Sequence, residues 1–397
     1  MTLTNKFSTY IPYLKKDKTI FIVWITTGAL FAIVKFLIGK YNNYEIFKYV
    51  YWHAIDGLSL YKEYPDLYGD NNHYGILFSL IIAPFAVLPD IIGIILWIVI
   101  NSAILFYAIR QLPLTHLQKV VVYWYAYCEL MTAQSMQQFN ISITAFILLS
   151  FVLIEKKKDF WAACIIMLGT FIKIYPIVGL AFFFFSKQKF RLIASCVFWA
   201  LLFFFIPMLY TPGYEYVISQ YKEWFGALEL KHAKNMFAPS QNISLLGIVR
   251  KFSGNPSYSD LLLIIPGLLL FFLPYLRISQ YKYLRFRLML LANVLLFTVL
   301  FSSGSEASGY IIAMTGVAIW YVCSPSENKR YNYLLFIITL IIVGLSTTEL
   351  MPPYVRLEVV RPYVTKAWPC ILVWLTICYE MIFLRFNSSS GLSTSRL

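Results

Sequence analysis

Residues 41–74 read YNNYEIFKYVYWHAIDGLSLYKEYPDLYGDNNHY, and they follow closely on the apolar run 19–38, TIFIVWITTGALFAIVKFLI. A helix formed by such a run is long enough to cross a hydrocarbon core of ~30 Å. The polar stretch after it holds five of the nineteen acidic residues of the chain, which are Glu45, Asp56, Glu63, Asp66 and Asp70. We therefore expect a membrane-spanning helix that places an acidic, aromatic segment at the far surface of the bilayer.

The composition predicts the same class of protein for the whole chain. Of the 397 residues, 59% are hydrophobic and 13% are charged, whereas a soluble domain carries about 25% charged residues. Further apolar runs cover residues 76–88, 91–107, 120–131, 141–154, 160–172, 177–185, 192–209, 261–276, 288–301, 310–323, 333–345 and 368–384. We predict an all-α polytopic membrane protein of 11 to 13 transmembrane helices, with one domain over residues 1–386 and a disordered serine-rich tail over 387–397.

The formal net charge of +14 is spread over short clusters between the apolar runs and does not form one basic surface. This is the pattern of basic cytoplasmic loops facing anionic lipid phosphates, so membrane lipids are the expected partner and nucleic acid is not. The basic clusters place the polar segments 40–74 and 210–260 together on the non-cytoplasmic side. We expect an interfacial helix in each of these loops, the second over 243–249 with Ser240 as its N-cap.

The direction of the chain is ambiguous between residues 74 and 154. Full spans throughout this region would place the basic clusters on opposite sides of the membrane. Two solutions remain open: one helix of this region is re-entrant, or the segment 110–119 faces outward.

The acidic loop offers candidates for proton transfer. A carboxylate at a membrane boundary can take the proton from an acceptor hydroxyl, and a neighbouring imidazole can adjust its basicity. Asp70 and Glu45 are the candidate bases, with Asp66, His73 and Tyr74 as candidate substrate contacts. The alternative is that the loop is a solvated turn that begins the next helix.

Lys173 is the second candidate, in the sequence Lys173-Ile174-Tyr175-Pro176 between two short apolar runs. Both outer ends of these runs are basic, so we predict a hairpin that enters from the cytoplasmic side and returns, with Lys173 and Tyr175 at its apex. A lysine at membrane depth needs a partner or a wet cavity, and a lipid phosphate would serve as the partner. The alternative is a lysine that extends to the interface, which also fits Lys35 at the end of the first run.

Other polar residues complete the candidate site. Amides can bind sugar hydroxyls, and basic residues can hold phosphate. A lone acid between two apolar helices can bind sugar hydroxyls or pair with a basic residue. These candidates are Gln138, Asn140, Gln241, Asn242, Arg250 and Glu306. The six cysteines have no metal-ligand spacing, and no glycine-rich nucleotide loop is present, so we expect no metal and no cofactor.

Several short motifs in a shared order resemble those of glycosyltransferase family 87. They are Gly-x-x-Leu-Tyr at 57–61, Tyr74-Gly75, Pro84, Leu88-Pro89, Trp97, Asn101, Gln138-x-Asn140, Lys173-x-Tyr175-Pro176 and Gln241-Asn242-x-Ser244. The resemblance implies a C-type glycosyltransferase fold and a polyprenyl-phosphate sugar as donor. One position departs from the family pattern, because Asn43 stands where the family usually carries an acid. Asn43 is therefore expected to contact substrate without acting as a base.

The resemblance and the candidate residues together predict an inverting hexosyltransferase of the cell envelope, for example a mannosyltransferase. Its donor would be lipid-linked and its acceptor a glycan or glycolipid. The expected location is a bacterial inner membrane with the active site facing the periplasm. The competing hypotheses are a flippase or transporter of lipid-linked sugars, an O-antigen polymerase or ligase, and a non-catalytic scaffold.

Overall fold

A computed structural model describes residues 12–238, 241–255, 257–346 and 351–387, and within these ranges every regular element is a helix. The helices before the second long loop are α1 Asp17–Leu37, α2 Asn42–Asp56, α3 Phe78–Ala86, α4 Asp90–Gln111, α5 His116–Ser135, α6 Asn140–Glu155, α7 Asp159–Ile172, the 3-10 helix Tyr175–Phe185, and α8 Lys189–Phe205. The longer helices after α8 are α9 Tyr214–Asn235, α10 Leu245–Ser253, α11 Leu261–Phe272, α12 Leu284–Leu300, α13 Tyr310–Cys323, α14 Lys329–Ser346 and α15 Ala367–Phe383, and a short π-helix covers Arg356–Val360.

Four described helices are long and apolar enough to cross a membrane by length and composition: α1, α4, α14 and α8 with its extension to Leu209. Six shorter apolar helices accompany them. Both α5 and α12 also pack in this bundle, although each carries charged residues. The predicted class, an all-helical polytopic membrane protein, is confirmed. The predicted disordered tail falls, apart from Asn387, outside the described residues.

The helix boundaries follow from local capping chemistry. Thr115 caps α5. Its hydroxyl oxygen accepts from the backbone N–H of Gln118, and its own backbone N–H donates to the Gln118 side-chain oxygen. Gly57 ends α2 in the left-handed conformation with φ of 68°. The helix in the second loop begins at Leu245 with Ser244 as its cap, whose hydroxyl accepts from the Gly247 amide at 3.0 Å. Ser240, the predicted cap, lies outside the described residues.

The centre of the bundle is formed by α12 and α13, which are packed against each other and almost entirely buried. At the periphery, α8 and α11 leave most of their apolar side chains exposed. In a bilayer such faces contact lipid, because hydrocarbon tails solvate leucine and phenylalanine as well as a protein interior does.

The structure resolves the direction of the chain between residues 74 and 154. With only nine residues, α3 is about 14 Å long and too short to cross. Asp90 follows it and forms an ion pair of 2.7 Å with Lys48 on α2, which belongs to the acidic loop. The chain therefore returns at Asp90 to the side from which it entered α3, and α3 is the re-entrant helix.

The segment 110–119 lies on the opposite side, beside the start of α1. A ring nitrogen of His116 lies 2.8 Å from the carbonyl oxygen of Lys15, and the Trp124 indole donates to the carbonyl oxygen of Leu14. We call the side that holds residues 41–74 the outer side and the side that holds residues 12–18 the inner side. The alternative of an outward-facing segment 110–119 is thereby excluded.

The hairpin around Lys173 has two arms of matched length. Helix α7 has 14 residues and rises about 21 Å, and the 11-residue 3-10 helix rises about 22 Å. The arms meet again at the inner side, where the Ser186 hydroxyl donates to Asp159. Both arms are shorter than the ~30 Å hydrocarbon core, so Lys173 at the apex lies within the depth of the membrane, towards the outer side.

A buried ion pair links α5 to the start of α15. Lys366 Nζ lies 2.8 Å from Glu129 Oε2, and the two side chains are 1% and 0% exposed. Removing one partner of such a pair leaves a buried charge without compensation. This pair was not anticipated from the sequence, because 237 residues separate its members.

We expect Lys366→Met to destabilise the protein by about 3–5 kcal/mol, since it leaves the Glu129 carboxyl without this cation. The measurement is thermal or denaturant unfolding of the purified protein in detergent. The double variant Lys366→Met/Glu129→Leu should recover most of the lost stability, because both charges are then gone. An unchanged midpoint in the single variant would show that the pair contributes nothing.

Candidate active site

A cavity of about 470 Å³ opens between the acidic loop, α9 and the apex of the Lys173 hairpin. We call it the central cavity. It brings together many of the residues predicted from the sequence, namely Asn43, Asp70, His73, Tyr74, Gln138, Lys173, Gln241 and Glu306. These residues come from six separate stretches of the chain, and folding brings them together around one cavity.

Gly75 fixes the end of the acidic loop against the hairpin. Its amide donates to the carbonyl oxygen of Ile172 at 2.9 Å. A Cβ at this position would lie 2.2 Å from the carbonyl oxygen of Phe171, so a side chain cannot be accommodated without movement of the backbone. This close approach places Tyr74 directly beside Lys173.

Lys173 lines the central cavity and lies between two tyrosine rings. Its Nζ is 5.2 Å from the ring centroid of Tyr74 and 5.4 Å from that of Tyr175. It donates a hydrogen bond of 2.8 Å to Asn140 Oδ1, and the Asn140 amide is in turn held by Ser308. Among the described residues this is its one hydrogen bond, whereas an ammonium group has three donors. The remaining donors are available to an anion.

Asp70 is the acid of the central cavity that is least engaged by other side chains. Its Oδ1 accepts the amide hydrogen of Asn71, and within the described part of the chain no cation pairs with it. By contrast, Glu306 pairs with Lys231 at 3.0 Å. Glu223 accepts hydrogen bonds from Ser59 and Gln220. An exposed carboxylate without a fixed partner suits the role of a base.

Glu45 does not line the central cavity. On α2, Asn43, Ile46 and Phe47 face the cavity, and residue 45 is about 200° around the helix from residue 43. The pKa of Glu45 is raised above its ordinary value by partial burial and by the Asp90 charge, while Lys48 opposes the shift. Asp66 is exposed and does not line the central cavity either.

Four further predicted residues do not line the central cavity itself. Asn140 and Tyr175 line a small recess that also touches Lys173 and Glu306. Arg250 is held in an ion pair of 2.7 Å with Asp260 and lines a separate cavity of about 640 Å³ beside Tyr175. We call this the α11 groove, because Leu261 and Ile264 form part of its wall. Asn242 is fully buried and accepts from the Ser244 hydroxyl.

His73 is held in its neutral form. Burial is the main cause, and the charges of Lys231, Lys173 and Lys234 add to it, so that the pKa of His73 falls to about 3. A neutral imidazole beside three lysines adds no further positive charge to the cavity and can still offer a donor or an acceptor.

This burial predicts a loss of stability in acid. Below pH 6.5 the unfolded chain protonates His73 while the folded chain does not, so the free energy of unfolding falls by up to about 1.4 kcal/mol per pH unit. The loss continues down to about pH 3. Unfolding midpoints measured between pH 8 and pH 5 should therefore fall less for His73→Asn than for the wild type. The exposed His232 provides the control, and His232→Asn should retain the wild-type profile. Parallel profiles for all three proteins would contradict the prediction.

Three further residues line the central cavity that are not among the candidates selected from the sequence, namely Glu223, Lys231 and Lys234. All three lie on α9, a 22-residue helix within the second polar loop that the sequence analysis did not predict. An uninterrupted stretch without proline, rich in glutamate and lysine, was the available signal. The Trp224 indole donates to the carbonyl oxygen of His73, which fastens α9 to the acidic loop.

The described residues thus form a polytopic helical bundle in which an exposed acid, Asp70, and a half-buried lysine, Lys173, line one cavity. A family model described as glycosyltransferase family 87 matches residues 72–303, which is more than half of the chain. The chain belongs to glycosyltransferase family 87 and is a membrane glycosyltransferase. No curated protein shows a significant match to it.

Proposed function

We propose that this protein transfers a hexose, with mannose as the first sugar to test, from a polyprenyl-phosphate donor to a hydroxyl of a lipid-linked or glycan acceptor. The transfer takes place at the outer side, which we assign to the periplasmic face of a bacterial inner membrane. The observation that carries the proposal is that Asp70 and Lys173 line one cavity, which offers a candidate base and a candidate phosphate-binding cation to the same substrate.

In the proposed reaction, the Asp70 carboxylate takes the proton of the acceptor hydroxyl. The acceptor oxygen then attacks the anomeric carbon, and the bond from this carbon to the phosphate oxygen breaks. The lipid phosphate leaves with the bonding electrons, and its charge is stabilised by Lys173. Because the attack comes from the face opposite the leaving group, the anomeric configuration inverts.

The polar lining suits a sugar at the centre of the cavity. Gln138 and Gln241 carry amides, and Tyr74 donates to Gln138 Oε1 at 3.2 Å. The lipid chain of the donor is assigned to the α11 groove, where Ile177, Val178 and Phe301 provide an apolar wall. In this arrangement Arg250 would lie near the donor phosphate, although its pairing with Asp260 limits its contribution.

The test is transfer of labelled mannose from polyprenyl-phosphate mannose to an extract of membrane lipids and glycans by the purified protein in detergent. The proposal expects a labelled product with inverted anomeric configuration. A flippase forms no product in detergent, so absence of transfer with every extract would contradict the enzyme function. Transfer that requires a nucleotide sugar, or an oligosaccharide diphospholipid as for an O-antigen polymerase, would overturn the donor assignment.

A further inference from the structure

A third large cavity adjoins the central cavity. It has a volume of about 700 Å³ and is enclosed by α1, α5 and the segment 356–366. We call it the α1 cavity. Met136, Gln241 and Glu306 line both this cavity and the central cavity, so the two adjoin. Lys173 does not line the α1 cavity.

The α1 cavity carries four cations, which are Lys35, Arg356, Arg361 and Lys366. Lys366 is paired with Glu129, and Glu306, the acid on the wall, is paired with Lys231. Within the described ranges, Lys35, Arg356 and Arg361 have no carboxylate at ion-pair distance. Arg356 Nε is buried and finds no acceptor among the described residues. A buried guanidinium donor without an acceptor is costly, and a phosphate oxygen would satisfy it.

The position of these cations runs against the usual charge distribution of membrane proteins. Basic residues concentrate on the inner side of membrane proteins, where they face anionic lipid. Arg356 and Arg361 lie between the outer end of α14 and the start of α15, on the outer side. A cluster of cations at this location therefore points to a specific anionic ligand.

The walls of the α1 cavity are apolar towards the bilayer. Phe31 and Val34 of α1 line it together with Ile38, which directly follows α1. Val34 is 50% exposed and Ile38 is 54% exposed. A hydrocarbon chain can therefore leave the cavity along α1 into the membrane, whereas a free anion would gain nothing from this wall. Charge and apolar surface together fit a lipid with a phosphate head.

We propose that the α1 cavity binds the phosphate head of an anionic lipid acceptor, whose sugar or hydroxyl then reaches the central cavity past Gln241. The role as acceptor site rests on the transferase function proposed above. Binding of the lipid phosphate itself does not, and it is measured without any sugar donor.

The experiment measures binding of radiolabelled phosphatidic acid to the purified full-length protein in a nonionic detergent. The double variant Arg356→Gln/Arg361→Gln is expected to bind at least about tenfold more weakly. The control double variant Lys40→Gln/Lys222→Gln also removes two positive charges, from exposed positions that line none of the cavities described here, and should stay within about twofold. If the arginine variant fails to fold, Lys35→Gln on α1 provides the same test, with a smaller loss.

Four outcomes would overturn the proposal. Equal weakening in both double variants would indicate general attraction of anions. Unchanged binding in the arginine variant would exclude the site. Displacement by millimolar inorganic phosphate would show a site for free anions. A raised KM for the polyprenyl-phosphate sugar in the arginine variant would assign the cavity to the donor. If phosphatidic acid binds as expected while no sugar is transferred, the site survives and the proposed function fails.

Discussion

Asp70→Asn is expected to lower the rate of sugar transfer by about 10²- to 10⁴-fold, which is the usual contribution of a general base. The amide keeps the size and the hydrogen bond to the Asn71 amide, but it cannot accept the proton of the acceptor hydroxyl. Because Asp70 is exposed, the fold should be unaffected. The measurement is kcat with labelled donor under saturating conditions, together with the unfolding midpoint.

Two other acids of the same region serve as matched comparisons. Asp66 lies four residues away in the same loop, and Glu45 lies on α2 near Lys48 and Asp90. Neither lines the central cavity. We expect Asp66→Asn and Glu45→Gln to retain activity within about threefold. Full activity of Asp70→Asn, or a large loss in Glu45→Gln, would assign the base elsewhere.

Lys173→Met is expected to reduce kcat/KM for the lipid-linked donor by about 10²- to 10³-fold. The variant removes the cation that binds the leaving phosphate but keeps an apolar stem between the rings of Tyr74 and Tyr175. The donor KM should rise and kcat should fall, since the charge acts in both the ground state and the transition state.

Lys173→Arg tests whether charge alone is sufficient. The ammonium group fits against Asn140 at 2.8 Å, and a guanidinium group is wider and planar. We expect it to recover only a small part of the activity. The exposed Lys222 on α9 is the control, and Lys222→Met should behave like the wild type. Normal donor kinetics in Lys173→Met would remove this lysine from the mechanism.

Most helices were predictable from the sequence because apolar runs in a membrane protein have few alternatives. The predicted hairpin of two short arms around Lys173 matches α7 and the 3-10 helix closely. The amphiphilic α9 was missed, since its residues form no apolar run. The length of α3 and the ion pair of Lys48 with Asp90 were needed to establish the direction of the chain.

The candidate site was predicted in part. Lys173 was selected because a charge at membrane depth is expensive, Asp70 as a possible base in the acidic loop, and Gln138 as an amide suited to sugar hydroxyls. All three line the central cavity. Arg250 was selected for its charge, but its carboxylate partner Asp260 could not be foreseen from the sequence. Of the cations in the α1 cavity, Lys35 was interpreted as extending to the interface, and the other three were not selected. Nothing in the local sequence relates Lys35 to Arg356.

The sequence by itself determined that this chain is a helical membrane protein, because hydrophobic length and the placement of charge are properties of single segments. It also selected the chemical groups that suit transfer from a lipid phosphate. Only the tertiary structure decided which of these groups meet. Asp70 and Lys173 line the same cavity and Glu45 does not, because the lining depends on helix rotation and on the docking of Gly75 against Ile172. Such contacts arise between segments far apart in the chain, and no local pattern encodes them.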